Sequence, residues 1–163
     1  MDIDVMLCDH AEALEGKLFI NGAAINLLFV SPQPPHVVAF SVAAVVQVPY
    51  NATNEPHTIV VRLLDEDGRP VLPWVSDGAP PPVPVEMQTT FTVGRPPILP
   101  PGEAQTVPVA FSLQSLPLGR LGAYAVVVEV DGEPVRQLPF RLMTTPQAQP
   151  GPGIRPTDLP RLT

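Results

Sequence analysis

The stretch CDHAE, residues 8–12, places a thiol, an imidazole and two carboxylates within five positions. Such side chains form cysteine nucleophiles and metal sites. A zinc site needs about four ligands at recognisable spacings, and a cysteine nucleophile needs a histidine that orients it. The chain has one cysteine and three histidines, and no signature surrounds the two distant histidines. We therefore predict no metal, no cofactor and no catalytic residue here.

On a regular strand, Cys8, His10 and Glu12 would point to one face, and Asp9 and Ala11 to the other. We expect Cys8 to be partly buried at a sheet edge, with the imidazole and the Glu12 carboxylate in solvent.

A second acidic group, Asp65, Glu66 and Asp67, stands directly before Gly68. It resembles the start of a calcium loop. The further oxygen ligand before the glycine and the bidentate glutamate at the loop's end are absent. Asp67-Gly68 is instead a favoured dipeptide of β-hairpin turns, so we predict a turn.

The segment PYNATNEPH, residues 49–57, collects polar and aromatic side chains between two apolar runs. Loops carry binding residues more often than strands do. Tyr50, Asn54 and His57, together with Trp74 from a later connection, are therefore candidate contacts for a ligand or partner. The alternatives are that the asparagines stabilise turns and that the tryptophan is in the core.

Alternating apolar and polar residues predict the elements that would position these groups. In VPVEMQTTFTV, residues 83–93, and in TVPVAFSL, residues 106–113, every second residue is apolar or small. This period of two is typical of half-buried antiparallel strands. Glu15-Gly16 and Asp131-Gly132 predict hairpins near the two ends of the domain.

The run HVVAFSVAAVVQV, residues 36–48, is nearly continuous in apolar and small residues. It predicts a central strand covered on both faces, with the second cover supplied by a loop of the same chain or by another subunit. Tyr124 begins a later strand, as does the tyrosine of the tyrosine corner in immunoglobulin-like domains.

We predict an all-β, immunoglobulin-like antiparallel β-sandwich of seven to nine strands over residues 1–143, with structural roles for Tyr124, Gly132 and Gly68. A proline-rich tail, residues 144–163, follows, and we expect it to be polyproline-like or disordered. Ile154, Leu159 and Leu162 are candidate anchors to a partner; the alternative is an unstructured terminus. The predicted core comprises Val5, Leu7, Leu18, Ile20, Phe40, Val42, Val46, Ile59, Val61, Leu63, Met87, Phe91, Val109, Phe111, Val126, Val128, Leu138 and Phe140.

Charge and composition exclude several classes of function. The formal net charge is −7, and the nine basic residues are scattered singly, so we expect neither nucleic acid nor a membrane as partner. The 24 prolines disfavour long helices. One cysteine and an N-terminal sequence without signal-peptide character lead us to expect a cytoplasmic protein.

Four stretches together resemble an uncharacterised bacterial domain family known from actinobacterial-type genomes: LCDHAEALEGKLFINGAA, VPYNATNEPHTIVVRLLDEDGRPV, GRPPILPPG and LPLGRLGAYAVVVEVDG. The resemblance covers residues 3–143 and leaves the tail out. It implies a cytosolic β-rich domain and brings no activity, so it assigns no catalytic residue.

Three hypotheses for the function follow. The first is a non-enzymatic module that binds another protein or a second copy of itself. The second is a module that binds a glycan, peptide or other small ligand at residues 50–57 and Trp74. The third is an enzyme that uses Cys8, His10 and a further histidine. The scarcity of converging ionisable groups favours the first.

Overall fold

The chain forms two β-sheets in a computed structural model that describes residues 1–98 and 100–145. No α-helix occurs within these ranges, so the prediction of an all-β chain is confirmed. The nine strands are β1 (Asp2–Leu14), β2 (Lys17–Ala23), β3 (Leu27–Val30), β4 (His36–Val48), β5 (Pro56–Asp65), β6 (Glu86–Thr92), β7 (Gln105–Leu118), β8 (Gly122–Val130) and β9 (Glu133–Thr144).

The first sheet has the strand order β2-β1-β4-β7, and the second has the order β3-β9-β8-β5-β6. Every neighbouring pair is antiparallel except β3 and β9, which are parallel. The short strand β3 therefore forms one edge of the second sheet. No helix in the described part of the chain is long and apolar enough to cross a membrane.

One hydrophobic core lies between the two sheets. The rings of Phe40 on β4 and Phe140 on β9 lie 5.4 Å apart between centroids and so join the sheets directly. The inward face of β4 is buried along its whole length, as the apolar run predicts. The predicted core residues that are buried are Leu7, Phe40, Val42, Val46, Ile59, Val61, Leu63, Val109, Phe111, Val126, Val128 and Phe140.

Of the six other predicted core residues, five are partly buried and one is exposed. Val5, Met87, Phe91 and Leu138 pack against the edge of the core. Ile20 is 37% exposed, so its assignment to the core is wrong. The physical reason is its position on β2, which pairs only with β1 and extends beyond the core. Leu18 on the same strand packs elsewhere, against Cys8 and its neighbours.

Two-residue turns close two hairpins. Glu15 and Gly16 join β1 to β2, and Asp131 and Gly132 join β8 to β9, all four with positive φ. Positive φ at both central residues is the geometry of a type I′ turn, which suits the twist of paired strands. The Asp67-Gly68 turn differs in type, because only Gly68 has a positive φ.

Asp65 organises that third turn with its side chain. Its Oδ1 accepts hydrogen bonds from the backbone N–H groups of Asp67, at 3.0 Å, and Arg69, at 2.8 Å. The N–H of Gly68 donates to the carbonyl of Asp65 at 3.0 Å. The acidic cluster is therefore held by backbone donors as a turn, as the dipeptide predicts.

The outer face of β4 is covered only at its middle, where Ser41 and Ala43 are fully buried. The cover comes from the same chain. β1 pairs with β4 only from Asp2 to Cys8, and its remainder pairs with β2 alone. We call residues 9–23 the β1–β2 arm. Ala11 of the arm is buried with Cys8 and Ala43, which shows that the arm lies over the first sheet.

The alternation of buried and exposed residues along β1 is interrupted at Cys8 and Asp9, where the arm begins. Gly22 lies close to Asp9 with φ +64°, and a Cβ atom at Gly22 would collide with the Asp9 carboxylate. Cys8 and Ala11 are buried in one cluster. The prediction that they face opposite sides is therefore wrong, since it assumed unbroken alternation along the strand.

Candidate functional site

The thiol of Cys8 is sealed from solvent beneath the arm. Its Sγ donates to the carbonyl of Ser41 at 3.6 Å. Burial, aided by the negative charge of Asp9, raises the pKa of the thiol. A thiol with a raised pKa is a poor nucleophile at neutral pH, because the thiolate is the reactive form.

The other chemical groups of the CDHAE stretch do not converge on this thiol. His10 and Glu12 are exposed on the arm. His36 is buried, and its Nδ1 lies 2.9 Å from the carbonyl of Ser31. Among residues 1–98 and 100–145, no group of three or more His, Cys, Asp or Glu side chains is placed to hold a metal ion. The stretch therefore offers no assembled reactive centre.

The loop that carries Tyr50 is held by internal contacts. Tyr50 begins a short 3-10 turn, and its carbonyl accepts from the Thr53 hydroxyl at 2.7 Å. The Arg95 guanidinium lies 4.4 Å from the centre of the Tyr50 ring and also donates to that carbonyl, at 3.0 Å. Arg95 further donates to the Thr53 hydroxyl. One face of the Tyr50 ring is thus already occupied.

His57 and Asn54 hold the same loop from its other side. Asn54 has a φ of +64°, and its N–H donates to Val93 at 2.7 Å. His57 is buried; its Nδ1 lies 2.8 Å from Oδ2 of Asp131, and its Nε2 lies 2.6 Å from the carbonyl of Ala52. Both neighbours are acceptors, so this site favours the protonated imidazole, which donates from both ring nitrogens.

The electrostatics of this pair agree with that geometry. The hydrogen bond to Ala52 raises the pKa of His57 most; burial opposes this rise, and Asp131 adds to it. Burial acts to raise the pKa of Asp131, but hydrogen bonds from the Thr58 amide and from His57 outweigh it, and the pKa is lowered. His57 therefore joins the loop to the β8–β9 turn, and both contacts favour its protonated form.

Trp74 lies at the opposite end of the molecule from Tyr50. The strand β7 connects the two ends: Gln105 at its start lines a small cleft with Tyr50, and the carbonyl of Pro117 near its finish accepts from the Trp74 N–H at 2.8 Å. The Trp74 side chain is 43% exposed. The structure therefore does not bring the four candidate contact residues into one site.

A cleft of about 320 Å³ lies beside Trp74. Gly119, which borders the tryptophan ring, forms part of its wall. Tyr124 lies in the same wall, and its hydroxyl donates to the carbonyl of Arg120 at 2.7 Å. This bond back to upstream backbone is the geometry of a tyrosine corner. The cleft is lined by Asp65, Arg69, Pro70, Val71, Leu72, Leu118, Gly119, Arg120 and Tyr124.

A patch of large apolar side chains lies at the same end, on the outer face of the second sheet. Phe29 pairs with Met143, and Leu121 stands one residue before the β8–β9 ladder, beside Met143. Leu27 pairs with Arg141 in the next row. We call Leu27, Phe29, Leu121 and Met143 the Phe29 patch; these four side chains are 42–54% exposed.

Sequence reasoning missed this patch. The only signal is the run LLFV, residues 27–30, which is apolar at consecutive positions and so carries apolar side chains on both faces of one strand. Val30 is buried and Leu28 packs against the core, whereas Leu27 and Phe29 face outward. The candidate tail anchors Ile154, Leu159 and Leu162 lie outside the described residues.

The chain belongs to a family of unknown function, DUF6941, whose model matches residues 4–143. The match covers most of the chain and agrees with the extent of the resemblance in its sequence motifs. A search of curated proteins finds no match. The family relationship therefore fixes the boundaries of the related domain and assigns no activity to it.

Proposed function

We propose that this domain is a non-enzymatic module that docks onto another protein through the Phe29 patch. The observation that carries the proposal is the arrangement of four large apolar side chains, each 42–54% exposed, across three neighbouring segments of one sheet. Contiguous apolar patches on soluble proteins mark interaction surfaces more often than isolated exposed residues do.

The position of the patch suits docking. Phe29, Met143 and Leu121 form one row across the sheet, and Leu27, Arg141 and Ala123 form the next. Covering a half-exposed side chain of this size contributes about 1 kcal/mol, so four of them supply several kcal/mol before the costs of association. A flat row of this kind fits a partner that presents its own apolar side chains.

Arg141 adds a requirement for the partner's chemistry. It lies between Leu27 on β3 and Ala123 on β8, within the apolar surface, and it is exposed. Arginine is enriched in interface cores because its planar guanidinium pairs with carboxylates at two points. The proposed partner therefore carries an apolar surface with an acidic side chain that meets Arg141.

The fold supports this class of function. Two sheets around one core, with a tyrosine corner at the start of β8, favour an immunoglobulin-like β-sandwich. Such sandwiches present sheet faces and edges to partners, and they host many functions, so the proposal depends on the patch rather than on the fold. The single, buried cysteine is compatible with the reducing cytoplasm, which we propose as its compartment.

A second candidate function is the binding of a small ligand in the cleft beside Trp74. The phenol of Tyr124 and two arginines line about 320 Å³ of space, and the exposed indole of Trp74 lies next to Gly119 in the wall of the cleft. Titration of the full chain with glycans and short acidic peptides, followed by tryptophan fluorescence, tests this function. An unchanged emission spectrum throughout such a panel would count against it.

A matched pair of variants tests the docking proposal. Full-length wild type, a Phe29→Ser/Met143→Ser variant and a Phe19→Ser control serve as baits in lysate of the source organism. Phe19 is 52% exposed, close to the 54% of Phe29, but it lies on the arm. We expect a partner that binds wild type and control, with at least tenfold weaker affinity for the patch variant once purified. Equal affinity for all three would overturn the proposal.

A further inference from the structure

We propose that residues 146–163 of this chain fold back onto the Phe29 patch of the same molecule and occupy it until a partner displaces them. The regulatory meaning of this contact rests on the function proposed above. The contact itself requires no partner and is measured on the isolated chain.

The point where the described chain ends supports the inference. The N–H of Thr145 donates to the carbonyl of Val30 at 3.3 Å, which extends the contact between β9 and β3. Met143, two residues earlier, and Phe29, one residue before Val30, both belong to the patch. The described chain therefore ends, at Thr145, at the border of the exposed apolar surface.

The remaining chain is long enough to cover the patch. Eighteen residues follow Thr145, and Ile154 is the ninth of them. Nine extended residues reach about 28 Å. The patch spans three segments at a spacing of about 4.8 Å, so its width is on the order of 10–15 Å. Because a short tether costs little to close, weak contacts suffice for docking within one molecule.

The composition of the segment matches the surface. It carries three large aliphatic residues, Ile154, Leu159 and Leu162, and five prolines, which reduce the conformational entropy lost on docking. It also carries Arg155 and Arg161 against one aspartate, whereas the whole chain is strongly acidic. Leu121 of the patch lines a small cleft with Asp65, Glu66, Asp67 and Arg120, so carboxylates border the proposed docking surface.

A spin label placed in the segment tests the contact in the full chain. Cys8 is buried and its thiol has a raised pKa, so a Thr157→Cys variant is labelled at position 157 alone, as the mass of the product verifies. We expect the label to weaken the amide signals of residues 27–30, 121–123 and 141–144. Signals of the loop around Tyr50, at the other end of the molecule, serve as the internal reference and keep their intensity.

Two further variants in the labelled background define the surface and the anchors. The first variant replaces the three aliphatic residues with serine: Ile154→Ser, Leu159→Ser and Leu162→Ser. It changes no residue of the described domain and is expected to restore all patch signals. Phe29→Ser is expected to do the same, whereas Phe19→Ser is not. Signal loss that disappears on dilution, or that also appears when spin-labelled chains without isotope are mixed with unlabelled isotope-enriched chains, would assign the contact to a second copy and overturn docking within one molecule.

The result is independent of partner capture. Absence of any selective signal loss at the patch overturns the inference while the docking proposal stands on its own test. Selective signal loss together with partner binding that ignores the patch overturns the proposed function and leaves the intramolecular contact in place. Where the intramolecular contact and the docking proposal are both correct, the full chain with the three serine substitutions is expected to bind the purified partner more tightly than wild type does.

Discussion

The buried imidazole of His57 on β5 donates to Asp131 in the β8–β9 turn, with 2.8 Å between Nδ1 and Oδ2. The second carboxylate oxygen of Asp131 accepts the Thr58 N–H, also at 2.8 Å. Because the other imidazole nitrogen donates to Ala52, one side chain connects a strand, a turn and a loop. This relationship makes the Tyr50 end of the domain sensitive to the protonation of one histidine.

Stability is therefore expected to decrease as pH rises above the ordinary pKa of histidine, 6.5. The pKa of His57 is raised in the folded state, so its stabilising contribution is complete below 6.5 and is lost as pH rises through the folded-state pKa. Urea unfolding of wild type and of a His57→Gln variant measures this. The variant is expected to show a smaller decrease over the same interval.

The lowered pKa of Asp131 predicts that stability depends on pH in the opposite direction in the acidic range. Its folded-state pKa lies below the ordinary value of 3.8, so its contribution is present above 3.8 and is lost as pH falls through the folded-state pKa. An Asp131→Asn variant is expected to lose part of the decrease in the free energy of unfolding that wild type shows in this acidic range. His10 and Glu12 are exposed on the arm, so a His10→Gln variant is the matched control for His57→Gln and a Glu12→Gln variant is the matched control for Asp131→Asn.

Removing the Tyr124 hydroxyl is expected to lower the free energy of unfolding by about 1–2 kcal/mol, because the Arg120 carbonyl loses its donor at 2.7 Å. Tyr124→Phe keeps the stacked contact with Phe140, whose ring centroid lies 5.6 Å away. Urea unfolding measures the difference. Tyr50→Phe is the control, since the Tyr50 hydroxyl makes no hydrogen bond to any described residue; equal effects of both changes would contradict the assigned role of Tyr124.

Sequence alone predicts the strands well because alternation and turn dipeptides act locally. Asp131-Gly132 and Glu15-Gly16 stand where the hairpins turn, and the inward residues of β4 are buried as their period requires. The type of the Asp67-Gly68 turn was not predictable, since it depends on Asp65 accepting two backbone hydrogen bonds.

The surface properties were less accessible from sequence. Phe29 is exposed because none of the described residues forms a further layer over it, and no local pattern encodes this. The shared burial of Cys8 and Ala11 depends on the arm lying over the first sheet, which the local pattern of β1 does not encode. Trp74 and Tyr50 were grouped by residue type, but β7 separates them by its whole length.

The close approach of Asp9 predicts a specific cost for a methyl group at Gly22. Gly22→Ala meets both a positive φ of +64° and a collision with the Asp9 carboxylate, whereas Gly68→Ala meets a positive φ of +75° with open space around it. We expect a loss of about 1 kcal/mol at Gly68 and of about 2–3 kcal/mol at Gly22. Thermal and urea unfolding measure both losses.

A double variant separates the two causes at Gly22. Adding Asp9→Ala to Gly22→Ala removes the carboxylate, so the loss is expected to approach that of Gly68→Ala. A double variant as unstable as Gly22→Ala alone would show that the collision with the Asp9 side chain does not cause the loss.

The buried thiol reports on docking of the arm. Because Cys8 is inaccessible and its thiol pKa is raised, reaction with a disulfide reagent at neutral pH is expected to be much slower in native protein than in urea.

Ala11→Glu places a carboxylate at a buried position of the arm. It is expected to accelerate the native reaction at least tenfold, which corresponds to about 1.4 kcal/mol of weakened docking of the arm. Ala13→Glu, at an exposed position two residues later, leaves the rate unchanged. A native rate equal to that in urea, or equal acceleration by both changes, would show that the arm does not seal the thiol.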